Sequence, residues 1–523
     1  MIYFQSLVFC ICTFFLAQGQ KNMQFLGNLA FPNKINDIWG YNHPNGKEYA
    51  LVGSEVSFYI VDVSNPAQPN LIFEILGDTS IWRDVKTFND KAYVVNEKSG
   101  GLLIVDLINL PNSAPFQYVT QIDTFNYQTA HNIFIDENGV GYLLGSNISN
   151  QGAFMIDLNT ANPFAPNFLG LYDDQYVHDA YARGDTLYTA EIGNGTFSIV
   201  DVSDKQNPII LARQFTSRTF THNCWLSDNG QYLITTDEKA GAYVDIYDIS
   251  NLNNIKLIDQ YQNSPRDSVI PHNTFFLGDY IYTSYYRNGV TLVDATDKEN
   301  LVEVGHYDTS PFSSDQGFEG NWGVYPYLSS GHILASDREE GLFIFGPNYT
   351  RAAYLSGTVF DTLNNQALGR AVVEFIGTDY LKYSAFNGTY KIGVADTGLY
   401  DLRMTHPQCQ TVIESGVFME TAIEKLLNIE TNCDFTTALY HFNSSNEIEV
   451  IADPQSDLIQ INVASEDLLE TIQIIDLNGK LSYEIEAKTK FLSLKHHQHL
   501  PGGMYLIHFV FQDHSVTKKI MRY

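Results

Sequence analysis

FYIVDVSNP, residues 58–66, decides the fold because the phrase keeps returning. It recurs as LLIVDL (102–107), FMIDLN (154–159), FSIVDVSD (197–204), DIYDIS (245–250) and VTLVDATD (290–297). The shared aspartates, Asp62, Asp106, Asp157, Asp201, Asp248 and Asp294, lie 44, 51, 44, 47 and 46 residues apart. A seventh copy, GLFIFGP (341–347), lacks the aspartate. Around each copy the grammar is constant. A strand-like start such as INDIW (35–39) or HNCWL (222–226) comes first, and a second apolar run such as YLITTDE follows. The IVD phrase is third, and after a polar turn comes a fourth run such as PIILARQF (208–215). Short alternating runs bounded by Gly, Asn, Asp and Pro are strand and hairpin signals. Four strands per repeat of about 45 residues make one blade of a β-propeller. The expected fold is all-β: a seven-bladed β-propeller over 23–349, followed by two small β-sandwich domains.

Aromatic residues make up 13% of the chain, which favours strands. The net charge is −30, from 60 acidic and 30 basic residues. That balance excludes nucleic acid as a partner, because phosphates select Lys and Arg. The apolar run Leu7–Leu16 is too short to span a bilayer and ends in Ala17-Gln18-Gly19, so residues 1–19 are expected to be a signal peptide. The mature chain is expected to have no transmembrane segment. In an exported protein, neighbouring Cys409 and Cys433 are expected to pair as a disulfide. Cys224 is expected to be a core thiol.

Four starting strands carry a histidine followed by Asn or Asp: His131, His178, His222 and His272. The following position is short and polar in six units: Asp37, Asp84, Asn132, Asp179, Asn223 and Asn273. Adjacent strand residues point to opposite faces, so strict alternation keeps each pair from facing the same way. The short polar residues are expected to accept backbone N–H groups. The four imidazoles have two readings. With nearby carboxylates Glu191 and Asp237 (Glu238 and Asp337 lie close too) they suit a divalent transition metal. Equally they suit a polar-ligand pocket or a structural ring. Trp39, Trp82, Trp322, Tyr285 and Tyr286, with Trp225, are candidate ligand-binding aromatics that stack on a sugar. The alternative is packing between blades. No G-x-S-x-G elbow, H-E-x-x-H helix, P-loop or G-x-G-x-x-G turn is present, so no catalytic residue is named.

The IVD phrase resembles the LVIVD repeat. The first 325 or so mature residues, with phrases such as GNWGVYPYLSSGHILASDREEGLFIF (320–345), resemble the choice-of-anchor B family. That resemblance implies a propeller joined to a surface anchor and no defined reaction. Residues 352–433, with SGTV, ALGRAVVEF and GLYDLRM, are similar to carboxypeptidase-regulatory-like domains, which implies a spacer or adhesive module. Residues 447–523, with Asn478-Gly479, PGGMY (501–505) and TKKIM (517–521), resemble the C-terminal sorting domain of type IX secretion. ADP (452–454) stands there in place of the usual PNP. The resemblance implies that this segment engages the type IX secretion machinery and sends the chain to the cell surface or medium. The expected function is an exported binding module for a glycan or surface protein. A metal-dependent enzyme built on the histidines and a structural surface component are the alternatives.

Overall fold

The computed structural model describes residues 20–433, apart from positions 149, 265, 266, 364 and 386, and the strands between 448 and 522. The expected leader (1–19) and linker (434–446) lie outside the described residues. The chain forms two compact units, Met1–Cys433 and Asp434–Tyr523. Among the described residues it is all-β, with a single 3-10 turn at Tyr286–Asn288. No described helix is long and apolar enough to cross a membrane.

Each repeat folds into one antiparallel sheet whose strands pair in chain order. The first sheet contains Ile35–Asn42, Glu48–Ser54, Ser57–Asp62 and Asn70–Leu76. The next six begin at Arg83–Phe88, Asn132–Ile135, Asp179–Arg183, Thr221–Leu226, Pro271–Leu277 and Asn321–Tyr325. These first strands adjoin one another in order, and the seventh adjoins the first, so the sheets follow a closed cycle. The second and third strands are buried on both faces, and YALVGS in the first sheet is buried throughout. The fourth strands of the first and fourth sheets are largely exposed, whereas that of the sixth, Val302–Tyr307, is covered. This is why the sequence reads as continuous apolar runs in mid-repeat and alternates at its edge. Hydrophobic clusters fill the wedges between sheets; one joins Tyr41, Leu51 and Ile60 of the first sheet to Val85, Val94 and Leu103 of the second, and one continuous cluster spans the third, fourth and fifth sheets.

The repeated aspartate closes the turn after each third strand. Its carboxylate accepts the backbone N–H two residues on, at 2.8–3.1 Å, from Ser64, Ile108, Asn159, Ser203, Ser250 and Thr296. The seventh copy has no such turn to make, because its fourth strand comes from elsewhere. Gly341–Pro347 pairs with Met23–Leu29, which precedes the first sheet in the sequence. Gln20–Lys21 adds a fifth strand to the sixth sheet.

Residues 352–433 form two further sheets within the first unit. Ala353–Asp361 is the hub of one and pairs in parallel with Glu424–Leu426 and Ile429–Thr431. The other runs Leu381–Tyr383, Val372–Phe375, Gly398–Thr405, Val412–Met419. This module is docked rather than tethered. Lys391 pairs with Asp297 and Glu299 at 2.9 and 3.0 Å, and Tyr380 donates to the Glu303 carbonyl at 2.9 Å. Arg351 reaches the fully buried Asp294 at 3.2 Å, so one repeated aspartate also anchors the module. Cys409 and Cys433 are disulfide-bonded across 24 residues. Serine at both positions is expected to lower unfolding free energy by ~3 kcal/mol, the loop-closure value for that span; urea melts of the two proteins check it. Cys224 is free and fully buried, and burial pushes its thiol well above the usual range.

The second unit has a three-stranded sheet, Ile448–Asp453, Leu458–Val463 and Phe491–Lys495. Its four-stranded sheet contains Leu481–Glu486, Leu469–Asp476, Gly503–Phe511 and Ser515–Arg522. Ile472, Ile474, Ile507 and Phe509 form its buried face.

Candidate functional site

The first strands stack three layers of side chains along the channel they surround. The layer at one end is Asn36, Arg83, His131, His178, His222, His272 and Trp322, which the pairing register aligns with His222 and His272. One residue later stand Asp37, Asp84, Asn132, Asp179, Asn223 and Asn273. Two residues beyond come Trp39, Lys86, Phe134, Tyr181, Trp225, Phe275 and Tyr325. The second and third layers share a face because the pleat repeats every two residues. By the same rule the histidines should turn away, yet the pocket at this end is lined by both His131 and Asn132, and by both His272 and Asn273. The expectation of opposite faces fails for a local reason. The ladder breaks register at Thr221/Asn223 and Pro271/Thr274, and bulges re-aim side chains. At His131 and His178 two successive residues share one partner: the histidine N–H groups bond the carbonyls of Leu144 and Ala190, the residues that Asn132 and Asp179 pair with.

The third layer closes the floor. Trp225 lies 4.7 Å from both Tyr181 and Phe275, and Trp39 lies 4.8 Å from Tyr325. Lys86 breaks the aromatic set. Its ammonium sits 4.7 Å over the Trp39 ring, donates to Asp84 at 2.7 Å and lies 3.8 Å from Asp37. Burial opposes its charge, but Asp84, Asp37 and Asp179 outweigh burial and hold its pKa above the ordinary value. Burial, then the Asp84 carboxylate, pushes Asp37 well above the usual carboxylate range. Burial pushes Asp179 up to about 6. The expectation that the short polar layer accepts backbone N–H groups holds for Asn223, from Thr274 N at 3.0 Å, and Asp179, from Ala180 N at 2.7 Å. The side-chain oxygens of Asn132 and Asn273, however, have no hydrogen-bond partner among the described residues. The Asn223 amide also donates to Asp179 at 2.6 Å.

Above this floor the four imidazoles form a continuous row. Ring centroids are 3.9 Å apart for His131–His178, 4.5 Å for His178–His222 and 4.2 Å for His222–His272. Trp82 stands 6.2 Å beyond one end and Trp322 4.8 Å beyond the other. They border a polar cavity of about 50 Å³, lined also by Glu238 and Arg83. Burial, then His131, holds His178 well below the ordinary imidazole value. Burial, then His131, lowers His222 to about 3; burial, then His222, does the same to His272. These three rings are therefore neutral at pH 7, the form that ligates metals. The Nδ1–H of His272 donates to the Trp322 carbonyl at 2.6 Å, leaving Nε2 bare and 3.8 Å from Glu238. His222 Nε2 is 3.9 Å from the other oxygen of Glu238. Ligand atoms from His222, Glu238 and His272 all lie within 4.8 Å of one another. A tetrahedral ion with bonds of about 2.1 Å needs roughly 3.4 Å between donors, so sub-ångström side-chain shifts close the set.

Other nominated residues lie elsewhere. Glu191 and Asp237 do not line the cavity. Glu191 is fully buried and receives hydroxyls from Thr196 at 2.6 Å and Ser198 at 2.8 Å, with Arg213 at 3.1 Å. Asp237 accepts from Thr216, Arg218 N and Phe220 N at 2.6–2.9 Å. Both caps satisfy carboxylates inside their own sheet. The carboxylate at the cavity belongs to the next residue, Glu238, which Tyr286 holds with a 2.5 Å hydroxyl bond. The aromatics do not assemble a sugar platform. Tyr285 and Tyr286 are at most 1% exposed and Trp322 8%; Trp39 packs in the floor and donates to Thr87 at 3.2 Å. Only Trp82, at 38%, offers an open ring. Lys86, and two residues that orient the histidines, Glu97 and Tyr176, carried weak signals: Lys86 interrupts an aromatic column, and Glu97 directly follows the second strand, which ends at Asn96.

Comparison with known families agrees with this architecture. The LVIVD repeat model matches residues 47–76, 176–216 and 275–309. The model described as "Secretion system C-terminal sorting domain" matches residues 452–522. The chain thus carries LVIVD repeats and a type IX sorting tail, which points to secretion or the cell surface. No curated protein matches the chain. Among solved structures, it is similar to the β-propeller domain of Cps50 (Swd1) from Myceliophteria thermophila, with 10% identity, TM-score 0.45, and 61% of this chain and 99% of that one covered. It is also similar to the computationally designed Ika8 protein, with 10% identity, TM-score 0.43, and coverage of 62% and 99%.

Proposed function

We propose that the chain is an exported seven-bladed propeller protein whose channel mouth binds a divalent transition metal ion through His222, His272 and Glu238. The observation that carries this reading is the convergence of two neutral imidazoles and one carboxylate in a polar cavity. The Nδ1–H bond from His272 to a backbone carbonyl is the orienting contact that metal-ligating histidines use. Two imidazoles and a carboxylate leave one position of a tetrahedral ion open towards the cavity, which favours a reactive or ligand-accepting ion over a purely structural one. Residues 352–433 serve as the carboxypeptidase-regulatory-like spacer of a choice-of-anchor B protein, and 447–523 engage the type IX machinery. Glycan stacking is the weaker reading, since one open ring does not clamp a sugar.

The test is Zn2+ binding by the full exported chain, purified without a histidine tag. Tight binding is expected, and Glu238→Gln or His272→Ala is expected to weaken it at least 10-fold, the lower range for a lost coordinating or orienting contact. Unchanged affinity in both folded variants would remove this cavity as the metal site.

A further inference from the structure

The row of histidines is longer than one ion can use. The set within reach of one centre is His222, Glu238 and His272, and it includes neither His131 nor His178. Those two rings face each other at 3.9 Å, at the Trp82 end of the same cavity. Each is oriented through Nδ1. His131 Nδ1 bonds the Glu97 carboxylate, and His178 Nδ1 bonds the Tyr176 hydroxyl at 3.3 Å. A carboxylate behind an imidazole is the usual outer support of a metal-bound histidine. His178 is only 8% exposed, lines the cavity, and has no hydrogen-bond partner at Nε2. With the His178 Nδ1–H donating to the Tyr176 hydroxyl, Nε2 carries the lone pair, and a buried lone pair is costly unless a donor or cation meets it.

We infer that the cavity holds a second divalent transition metal ion at the Nε2 edges of His131 and His178, with water completing its coordination. The inference rests on the proposed site at His222, Glu238 and His272, and extends it to a two-ion row. Imidazole pairs suit Zn, Cu or Ni rather than Mg or Ca, so the second position should discriminate by ligand type.

The experiment is metal stoichiometry of the full chain, measured by elemental analysis after equilibration with Zn2+ and removal of free ion. Two ions per chain are expected. His131→Ala with His178→Ala should retain one, and His272→Ala with Glu238→Gln should retain the other. Mg2+ in tenfold excess should displace neither. If buried His178 proves necessary for folding, His131→Ala alone, at the more exposed end, should still lower the count from two to one. One ion in the parent chain, unchanged by His131→Ala, would overturn the second position and leave the first intact. One ion lost in both double variants would mean a single shared site and would also overturn it. No bound ion in the parent would overturn both readings.

Discussion

Lys86→Met is expected to lower the unfolding free energy by about 3–5 kcal/mol at pH 7.5, the range for removing one partner from a buried ion cluster. Methionine matches the lysine stem closely, so little volume is lost and the effect is electrostatic. Lys86 stands among three buried carboxylates, Asp37, Asp84 and Asp179, beneath the histidine row. Its charge lowers the pKa of Asp37 and of Asp179. Both nevertheless remain raised by burial, Asp179 to about 6, so without the ammonium they rise further. The sign follows from proton binding. A carboxyl whose folded pKa exceeds its unfolded value of about 3.9 binds more protons when folded. Its contribution to stability therefore improves as pH falls through the raised value. The deficit of the variant should be largest at pH 7.5 and smaller at pH 5. Urea unfolding of both proteins at the two pH values tests this. A variant as stable as its parent at pH 7.5, or a deficit that grows on acidification, would refute the account. Lys86→Arg is a harsher control than it looks, because the planar guanidinium must fit over Trp39 and still reach Asp84.

The fold was legible because one local device repeats. The aspartate of the IVD phrase is needed wherever a third strand turns into a fourth, so six turns write the same residue at nearly constant spacing. Its absence from GLFIFGP was equally informative once the turn was understood, since no turn follows there. The candidate site was legible only in part. The histidines stood out because four units share them. Their direction did not, because alternation applies inside a regular ladder and these residues sit at bulges or where two successive residues share one partner. Glu238 was named beside Asp237, but the sequence did not say which of the two neighbours enters the cavity. In TTDE, Asp237 still belongs to the strand and is capped by hydroxyl and backbone donors, while Glu238 lies past the strand end and reaches the cavity. Trp39 and Trp225 were legible as aromatics and not as a floor, because sequence spacing places them on the channel-facing side without saying at which depth. The docking of residues 352–433 was not legible. It depends on ion pairs such as Lys391 with Asp297, whose partners are separated by nearly a hundred positions.

Deleting residues 20–30 is expected to abolish cooperative folding of the first unit. The strand Met23–Leu29 is the fourth strand of the seventh sheet and ties the start of the chain to its last repeat. Met23 is 1% exposed and packs with Val304, Phe343 and Phe345. Asn28 donates from its amide to the carbonyls of Glu340 and Leu342, each at 3.0 Å, and Asn22 to that of Val304 at 2.6 Å. Fully burying one such side chain stabilises by about 1.5–3 kcal/mol, and each net hydrogen bond by roughly 1. The strand therefore contributes on the order of 5 kcal/mol or more, against a total of about 5–15 for a typical domain. Its loss also turns Gly341–Pro347 into an open edge, a template for aggregation. Gly27→Val is the graded companion. A Cβ at Gly27 would fall 1.9 Å from the Pro66 carbonyl oxygen in the first sheet, so the strand must move off its neighbour. That cost should be about 1–3 kcal/mol, as for an overpacked core. Thermal melts and limited proteolysis of the three proteins rank the effects. A synthetic peptide of residues 20–30 added to the truncated chain should restore protection of the seventh sheet. A truncated chain that melts as sharply as the parent and within a few degrees of it would show that the ring does not depend on this closure.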